Sequence, residues 1–272
     1  MKNVVITGAG GVLCSCFAKA LAADGHRVAL LDVNEEAAAK VASEINGSGG
    51  VAYAYRADVL DRALLENVKD AIHRDIGKCG VLINGAGGNN PRATAAHETY
   101  EPGDETRDDI RTFFNLGKND FNFVFDLNVV GVLIPTQVFA ADMIPGGGSI
   151  INVSSMNAIR PLTKIPAYSS AKAGVSNLTK WLAVHFADAG IRANAILPGF
   201  FATNQNRALL FNEDGTPTPR TGKILAATPM KRFGEPEELL GALRFLIDDK
   251  ASGFITGIEL PVDGGFSAYS GV

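Results

Sequence analysis

In the stretch PAYSSAKAG, residues 166–174, a phenol and an ammonium stand four residues apart as Tyr168 and Lys172. At i and i+4 they share one face of a helix. A free tyrosine ionises near pH ~10 and is a poor base at neutrality. A neighbouring ammonium favours the phenolate and lowers that value. The pair is then a general base that can take the proton of an alcohol. Taken alone the spacing is common on exposed helix faces, where it does no chemistry. Its surroundings add to it. Ser155 stands 13 residues earlier, at the end of the apolar run IINVSS, where its hydroxyl could hold a reacting oxygen. The plainer reading of Ser154 and Ser155 is local capping of the backbone.

A second constellation lies near the N-terminus. TGAGGVLCS follows one apolar strand-length run and opens a helical one. Gly8, Gly10 and Gly11 let the backbone turn sharply and approach a pyrophosphate, whose charge is favoured at the helix start formed by Val12 and Leu13. LLDVN then ends the next strand with Asp32, 22 residues past Gly10. A carboxylate at that point accepts hydrogen bonds from ribose hydroxyls and repels a 2′-phosphate. No Arg or Lys sits beside it, so NAD is expected over NADP. The plainer reading is that Asp32 caps a turn.

The elements that must position these groups follow a βαβ rhythm. Strands are expected at Val4–Thr7, Val28–Asp32, Val51–Arg56, Val81–Asn84, Ser149–Val153, Ala193–Leu197 and Glu259–Val262. Helices are expected around Phe17–Ala23, over EEAAAKVASEI and over Ala63–Ile76. Runs apolar throughout imply strands buried on both faces, hence a mostly parallel sheet covered by helices. The expected fold class is α/β: a single-domain, doubly wound Rossmann fold over residues 1–272. Two polar excursions, 89–122 and 203–235, interrupt the rhythm on the edge where such sheets bind ligands, and read as lids forming a substrate mouth.

Bulk composition narrows the function. Net charge is −4, without the basic excess of a nucleic-acid binder. The three cysteines have neither metal nor disulfide spacing and fit a reducing compartment. No secretory leader is expected at the start, and no apolar run approaches the ~18 residues of a membrane span. A cytoplasmic protein with no membrane partner is expected.

Together the motifs resemble the short-chain dehydrogenase/reductase family, from Val4 to about Ala268. Of that family's T-G-x-x-x-G-x-G turn, Thr7 and Gly8 match, while Val12 and Cys14 take the last two glycine positions. The resemblance implies that Asp58, followed by Val59 in ADV, contacts adenine. It implies that NGAG, from Asn84 through Ala86 to Gly87, stands for N-N-A-G beside the cofactor. In LPGFFAT it implies that Pro198 and Gly199 shape a turn and Thr203 holds the nicotinamide amide. It gives Ser155, Tyr168 and Lys172 catalytic roles, with Lys172 also bonding the nicotinamide ribose, and makes Asn128 in DLNVVG the holder of a water in a proton relay to Lys172. It further implies a homo-oligomer, tetramer or dimer.

Within the family, the Val-Leu-Cys turn and the long insertion after NGAGGN resemble the short-chain type of D-mannonate oxidoreductase (fructuronate reductase). That subgroup interconverts D-mannonate and D-fructuronate with NAD(H). The polar mouth agrees with a hydroxylated acid, with Asn89, Asn90, Asn157, Asn204, Gln205 and Asn206 as hydrogen-bond partners. Arg207, Arg160 and Arg92 are candidates for its carboxylate, with Lys164 behind. The substrate set is Asn90, Ser155, Asn157 and Arg207, and no metal is expected. Other readings are a polyol, gluconate-type or 3-oxoacyl carrier-protein reductase, or a nucleotide-sensing protein without catalysis.

Overall fold

Alternating apolar residues build a sheet with two dry faces. The computed structural model describes residues 1–202 and 210–271. In β1 (Asn3–Thr7) Val4 and Ile6 point into one core layer and Val5 into the other, all fully buried. Four further strands are buried in the same two-sided way: β2 (Arg27–Asp32), β4 (Val81–Asn84), β5 (Gly148–Val153) and β6 (Ile191–Pro198). Such strands require cover on both sides. The outer strands, β3 (Val51–Arg56) and β7 (Glu259–Val262), are only partly buried, because each has a neighbour on one side alone. Among the described residues the sheet has seven strands in the order β3-β2-β1-β4-β5-β6-β7, each paired parallel to its neighbour.

The winding reverses between β1 and β4, which opens a crevice at the carboxyl ends of those strands. Thr7 and Asn84, their last residues, are register partners there. Among the described residues the helices of eight or more residues are, in chain order, α1 (Val12–Ala23), α2 (Glu35–Gly47), α3 (Arg62–Asp75), α4 (Lys118–Phe125), α5 (Gly131–Phe139), α6 (Pro166–His185), α7 (Pro219–Ala227) and α8 (Leu240–Ile247). Phe17, Leu21, Ile45 and Leu243 cover one sheet face, while Leu65, Ile72, Phe139 and Leu182 cover the other. Each buried side chain of this size contributes about 1.5–3 kcal/mol through area removed from water.

One expectation needs correcting. α4, a π turn at Asp126–Val130, α5 and a 3-10 turn at Ala140–Met143 join into one helical run, Lys118–Met143. By length and hydropathy it could cross a membrane, against the expectation that no run approaches that size. Half of its most apolar window is buried inside the protein, against α3 and α6, so packing accounts for its composition. The 89–122 excursion is built structure. It holds 3-10 turns at Pro91–Ala93 and Phe113–Asn115 and the start of α4. Buried Asp104 knots it, pairing with His97 Nδ1 at 2.9 Å and accepting from the Glu101 amide at 3.1 Å. The Ala95 amide donates to the Lys164 carbonyl at 2.7 Å, fastening the excursion to the segment before α6.

Candidate active site

The glycine turn leaves β1 at Gly8, whose φ of +66° is open to glycine at little cost. A Cβ there would lie 2.9 Å from the Ala86 backbone, so the turn and the β4 loop are in contact across the crevice. Thr7 Oγ1 accepts from the Gly85 and Ala86 amides at 3.1 and 3.2 Å, closing the same junction. Gly11 is the N-cap of α1, and no side chain caps that helix. By contrast Asn34 caps α2 and Asp61 caps α3. The first amides of α1, at Val12 and Leu13, therefore form a helix start suited to a diphosphate. This chain's residues fit a dinucleotide at that place.

Asp32 ends β2 beside the turn. Its Oδ2 accepts from the Gly10 amide at 2.9 Å and its Oδ1 from the Asn34 amide at 2.9 Å. The carboxylate thus holds the glycine turn and the entry to α2, the plainer of its two readings. No Arg or Lys neighbours it along the chain, but the sheet brings one alongside. Arg56 on β3 is its register partner, brought there by strand pairing rather than by sequence neighbourhood.

Asn128 lies in the π turn and is fully buried. Its amide donates to the Gly88 and Val124 carbonyls, each at 2.8 Å, and its Oδ1 accepts from the Gly88 amide at 3.1 Å. Asn128 thereby fixes the loop after β4. A Cβ on Gly87 would lie 2.6 Å from Asn128 Oδ1 and 3.1 Å from Lys172 Nζ, so the three residues meet with no room for a side chain. Asn84 belongs to a different network, donating to Thr136 Oγ1 at 3.0 Å and Asn152 Oδ1 at 2.9 Å within the core.

Why Tyr168 is flanked by small residues is plain from the packing of α6. Ala167 and Ala171 are fully buried against Val124, with Phe121 and Phe125 around them, which lets α4 approach closely. The next positions, Tyr168 and Lys172, then face the carboxyl end of β5. Lys172 Nζ donates to the Val153 carbonyl at 2.9 Å and lies 5.6 Å from the centre of the Tyr168 ring. Burial pushes its pKa down to about 8, with a small opposing effect from Cys14. Burial pushes the Tyr168 phenol up, and a hydrogen bond from Ser155 opposes the rise. The expected lowering of the phenol by Lys172 is therefore corrected. The ammonium sits over the ring and is aimed at Val153, not at the hydroxyl.

Ser154 and Ser155 divide the two readings given to them. Ser154 is structural, its Oγ donating to the Lys172 carbonyl at 3.0 Å and lying 3.1 Å from Ser176 Oγ. Ser155 accepts from the Asn157 amide at 3.2 Å and is the serine that reaches Tyr168. Asn157 is buried, and its Oδ1 has no hydrogen-bond partner among the described residues.

The remaining candidates are dispersed around this centre. Asp58, exposed after β3, accepts from the Leu60 amide at 2.9 Å, and buried Val59 packs against Gly131. Pro198 ends β6, and the Gly199 amide donates to Val262 O at 3.0 Å. A Cβ on Gly199 would meet Asp263 at 2.6 Å. Asn90 caps the Pro91–Ala93 turn through the Arg92 amide at 2.9 Å. Arg92 pairs with Asp120 at 2.9 Å and Arg160 donates to the Tyr269 carbonyl. Thr203, Asn204, Gln205, Asn206 and Arg207 lie outside the described residues. Sequence reasoning passed over Thr7 as a ligand of the β4 loop, Ser154 as an anchor for α6, and Val153 as the acceptor for Lys172. Only strand order brings these together.

Known proteins resemble this chain over its whole length. The profile described as enoyl-(acyl carrier protein) reductase matches residues 11–267. An uncharacterized oxidoreductase of Haemophilus influenzae is 60% identical over 272 residues, covering 100% of this chain and 95% of the relative. The uncharacterized oxidoreductase UxuB of Bacillus subtilis is 52% identical, covering 100% and 96%. A Haemophilus crystal structure with bound NAD, described provisionally as a D-mannonate oxidoreductase, superposes with a TM-score of 0.96 at 59% identity, covering 100% of this chain and 96% of that one. With a seven-stranded parallel sheet, a glycine turn at its switch point and a Ser-Tyr-Lys cluster beside it, the chain belongs to the short-chain dehydrogenase/reductase family of oxidoreductases.

Proposed function

We propose that this protein is an NAD(H)-dependent oxidoreductase that interconverts D-mannonate and D-fructuronate. The observation that carries the reading is the meeting of Ser155, Tyr168 and Lys172 at the carboxyl end of β5, next to the uncapped start of α1. The NAD in the related Haemophilus structure and that protein's provisional description support the cofactor and the substrate. Asp32 at the end of β2 supports NAD over NADP.

A bound nicotinamide supplies the atom that exchanges hydride with the substrate carbon. The rest falls to this chain. Ser155 donates to the substrate oxygen and orients it against the Tyr168 hydroxyl. Because burial raises the Tyr168 pKa, the neutral phenol is its form near pH 7, ready to protonate a carbonyl oxygen as general acid. In the opposite direction the phenol must first lose its proton, and the hydrogen bond from Ser155 favours that loss. Lys172 uses one N–H on Val153 O, which leaves donors for a ribose hydroxyl or a water. Asn128 acts through the Gly87–Gly88 loop that it holds.

An NADH-oxidation screen over keto sugar acids, neutral ketoses and acyl ketones, with NADPH as control, tests the reading. Fructuronate is expected to react fastest, and preference for an acyl ketone would overturn it. Assembly forms a second part of the proposal. Trp181 and Val184 on α6 and the fully exposed Phe254 are large apolar surfaces that support a homo-oligomer, which sedimentation measures directly.

A further inference from the structure

The mouth of the cleft holds an unequal distribution of charge. A cavity of about 400 Å³ opens between the two excursions, lined by Leu162, Lys164, Phe200, Arg220, Lys223 and Phe266. Phe200 directly follows the Gly199 turn that ends β6, and it stacks edge-on to Phe266 with ring centres 5.3 Å apart. Lys164 lies four residues before Tyr168, in the segment that leads into α6. The cavity thus borders the chain just past the carboxyl end of β6 and the segment that leads into the helix carrying Tyr168.

Three cations and one acid share this cavity wall. Glu98 bonds Lys223 at 2.8 Å, and that bond is the largest influence holding the Glu98 carboxyl below its usual range. Lys164 and Arg220 add to it from farther away. Glu98 thus neutralises Lys223 and leaves the side chains of Lys164 and Arg220 with no hydrogen bond or ion pair among the described residues. Other basic side chains near the mouth are engaged, Arg92 with Asp120 and Arg232 with Glu238. Lys164 is also held in an unusual conformation. Its φ is +70°, a region that disfavours side chains by about 1–2 kcal/mol, and its carbonyl is tied to the Ala95 amide at 2.7 Å. That bond fixes the backbone from which Lys164 extends.

We propose that Lys164 and Arg220 form the carboxylate subsite of this enzyme, gripping the acid end of the substrate while its far carbon reaches Tyr168. This rests on the sugar-acid reading above. An ammonium and a planar guanidinium together suit a carboxylate, one as a point charge and the other as a two-pronged donor. The aromatic wall of Phe200 and Phe266 lowers the local dielectric and strengthens both contacts. Glu98 sets the remaining charge at a level that admits an anion and disfavours a neutral sugar.

The test uses Lys164→Gln, Arg220→Gln and the double variant of the full chain, assayed with NADH against fructuronate and against a neutral ketose of the same length. Each single change is expected to raise KM for fructuronate roughly tenfold and the double change roughly a hundredfold, with kcat within about twofold. KM for NADH and the weak activity on the neutral ketose stay unchanged. Glu98→Gln lowers KM for the acid, because a competing carboxylate is removed. A double variant with parental KM for fructuronate overturns the subsite and leaves the sugar-acid reading standing. A parental enzyme that reduces the neutral ketose better than every sugar acid overturns that reading, and the subsite with it.

Discussion

The sulfur of Cys14 occupies the space that a side chain on Gly85 would need. A Cβ built on Gly85 lies 2.1 Å from Sγ and 2.9 Å from the Thr7 carbonyl. The family pattern has glycine on the helix and asparagine on the loop, and here the volume is exchanged across the crevice. The buried thiol is inert, its pKa pushed up to about 12 mainly by desolvation. Gly85→Asn should therefore cost about 1–3 kcal/mol as overpacking, and adding Cys14→Gly should restore part of the loss. Urea denaturation of the four proteins in this cycle measures the coupling. Additive effects would mean that the loop yields without involving the sulfur.

Removing one oxygen tests the acid. Tyr168→Phe leaves the ring and its packing but no proton to give, and reductive turnover should fall by about 10²–10⁴-fold. Fluorescence titration should show NADH affinity within about twofold of the parent. Undiminished turnover would transfer the acid role away from Tyr168.

Buried Lys172 links stability to pH. Its pKa is about 8 in the folded protein against 10.5 for the free side chain, so the unfolded chain holds the proton more tightly. The charged amine consequently destabilises the fold in full below pH 8, and the penalty is relieved as pH rises from 8 toward 10.5. Lys172→Met should be the more stable protein at pH 7, by an amount on the order of 1–3 kcal/mol, and that advantage should shrink toward high pH. Denaturation curves at both ends of the range decide it. A variant weaker at every pH would show that the bond to Val153 O outweighs burial.

Asp32 does structural and recognition work with one carboxylate. Asp32→Ala frees the Gly10 and Asn34 amides and should cost about 1–3 kcal/mol of stability. With Arg56 left beside the site, the same change should also narrow the preference for NADH over NADPH. The ratio of kcat/KM values for the two cofactors measures this. An unaltered ratio would confine Asp32 to holding the turn.

The pH dependence of catalysis follows from the phenol. Since burial raises the Tyr168 pKa, reduction should run best near neutrality and decline as the phenol ionises at higher pH, while alcohol oxidation rises over the same range. Initial rates in both directions across that range provide the check. Parallel profiles would show that Tyr168 does not carry the proton.

Much of this protein was legible in one dimension. The apolar runs of β1, β2, β4, β5 and β6 required a sheet covered on both faces, because alternate residues of one strand must go to opposite sides. The spacing of Tyr168 and Lys172 required one helix face, and the glycines before Val12 required a tight turn into a helix. These properties are local, set by backbone geometry and by the period of hydrophobicity. Tertiary structure alone decided which groups those elements meet. It placed Arg56 beside Asp32, Cys14 against Gly85, Val153 O under Lys172, and Lys164 with Arg220 around a common cavity. It also reversed the sign expected for the Tyr168 phenol, since that balance depends on burial and on where the ammonium points. Such facts depend on strand order and on dielectric, and neither is written in the distance between two residues along the chain.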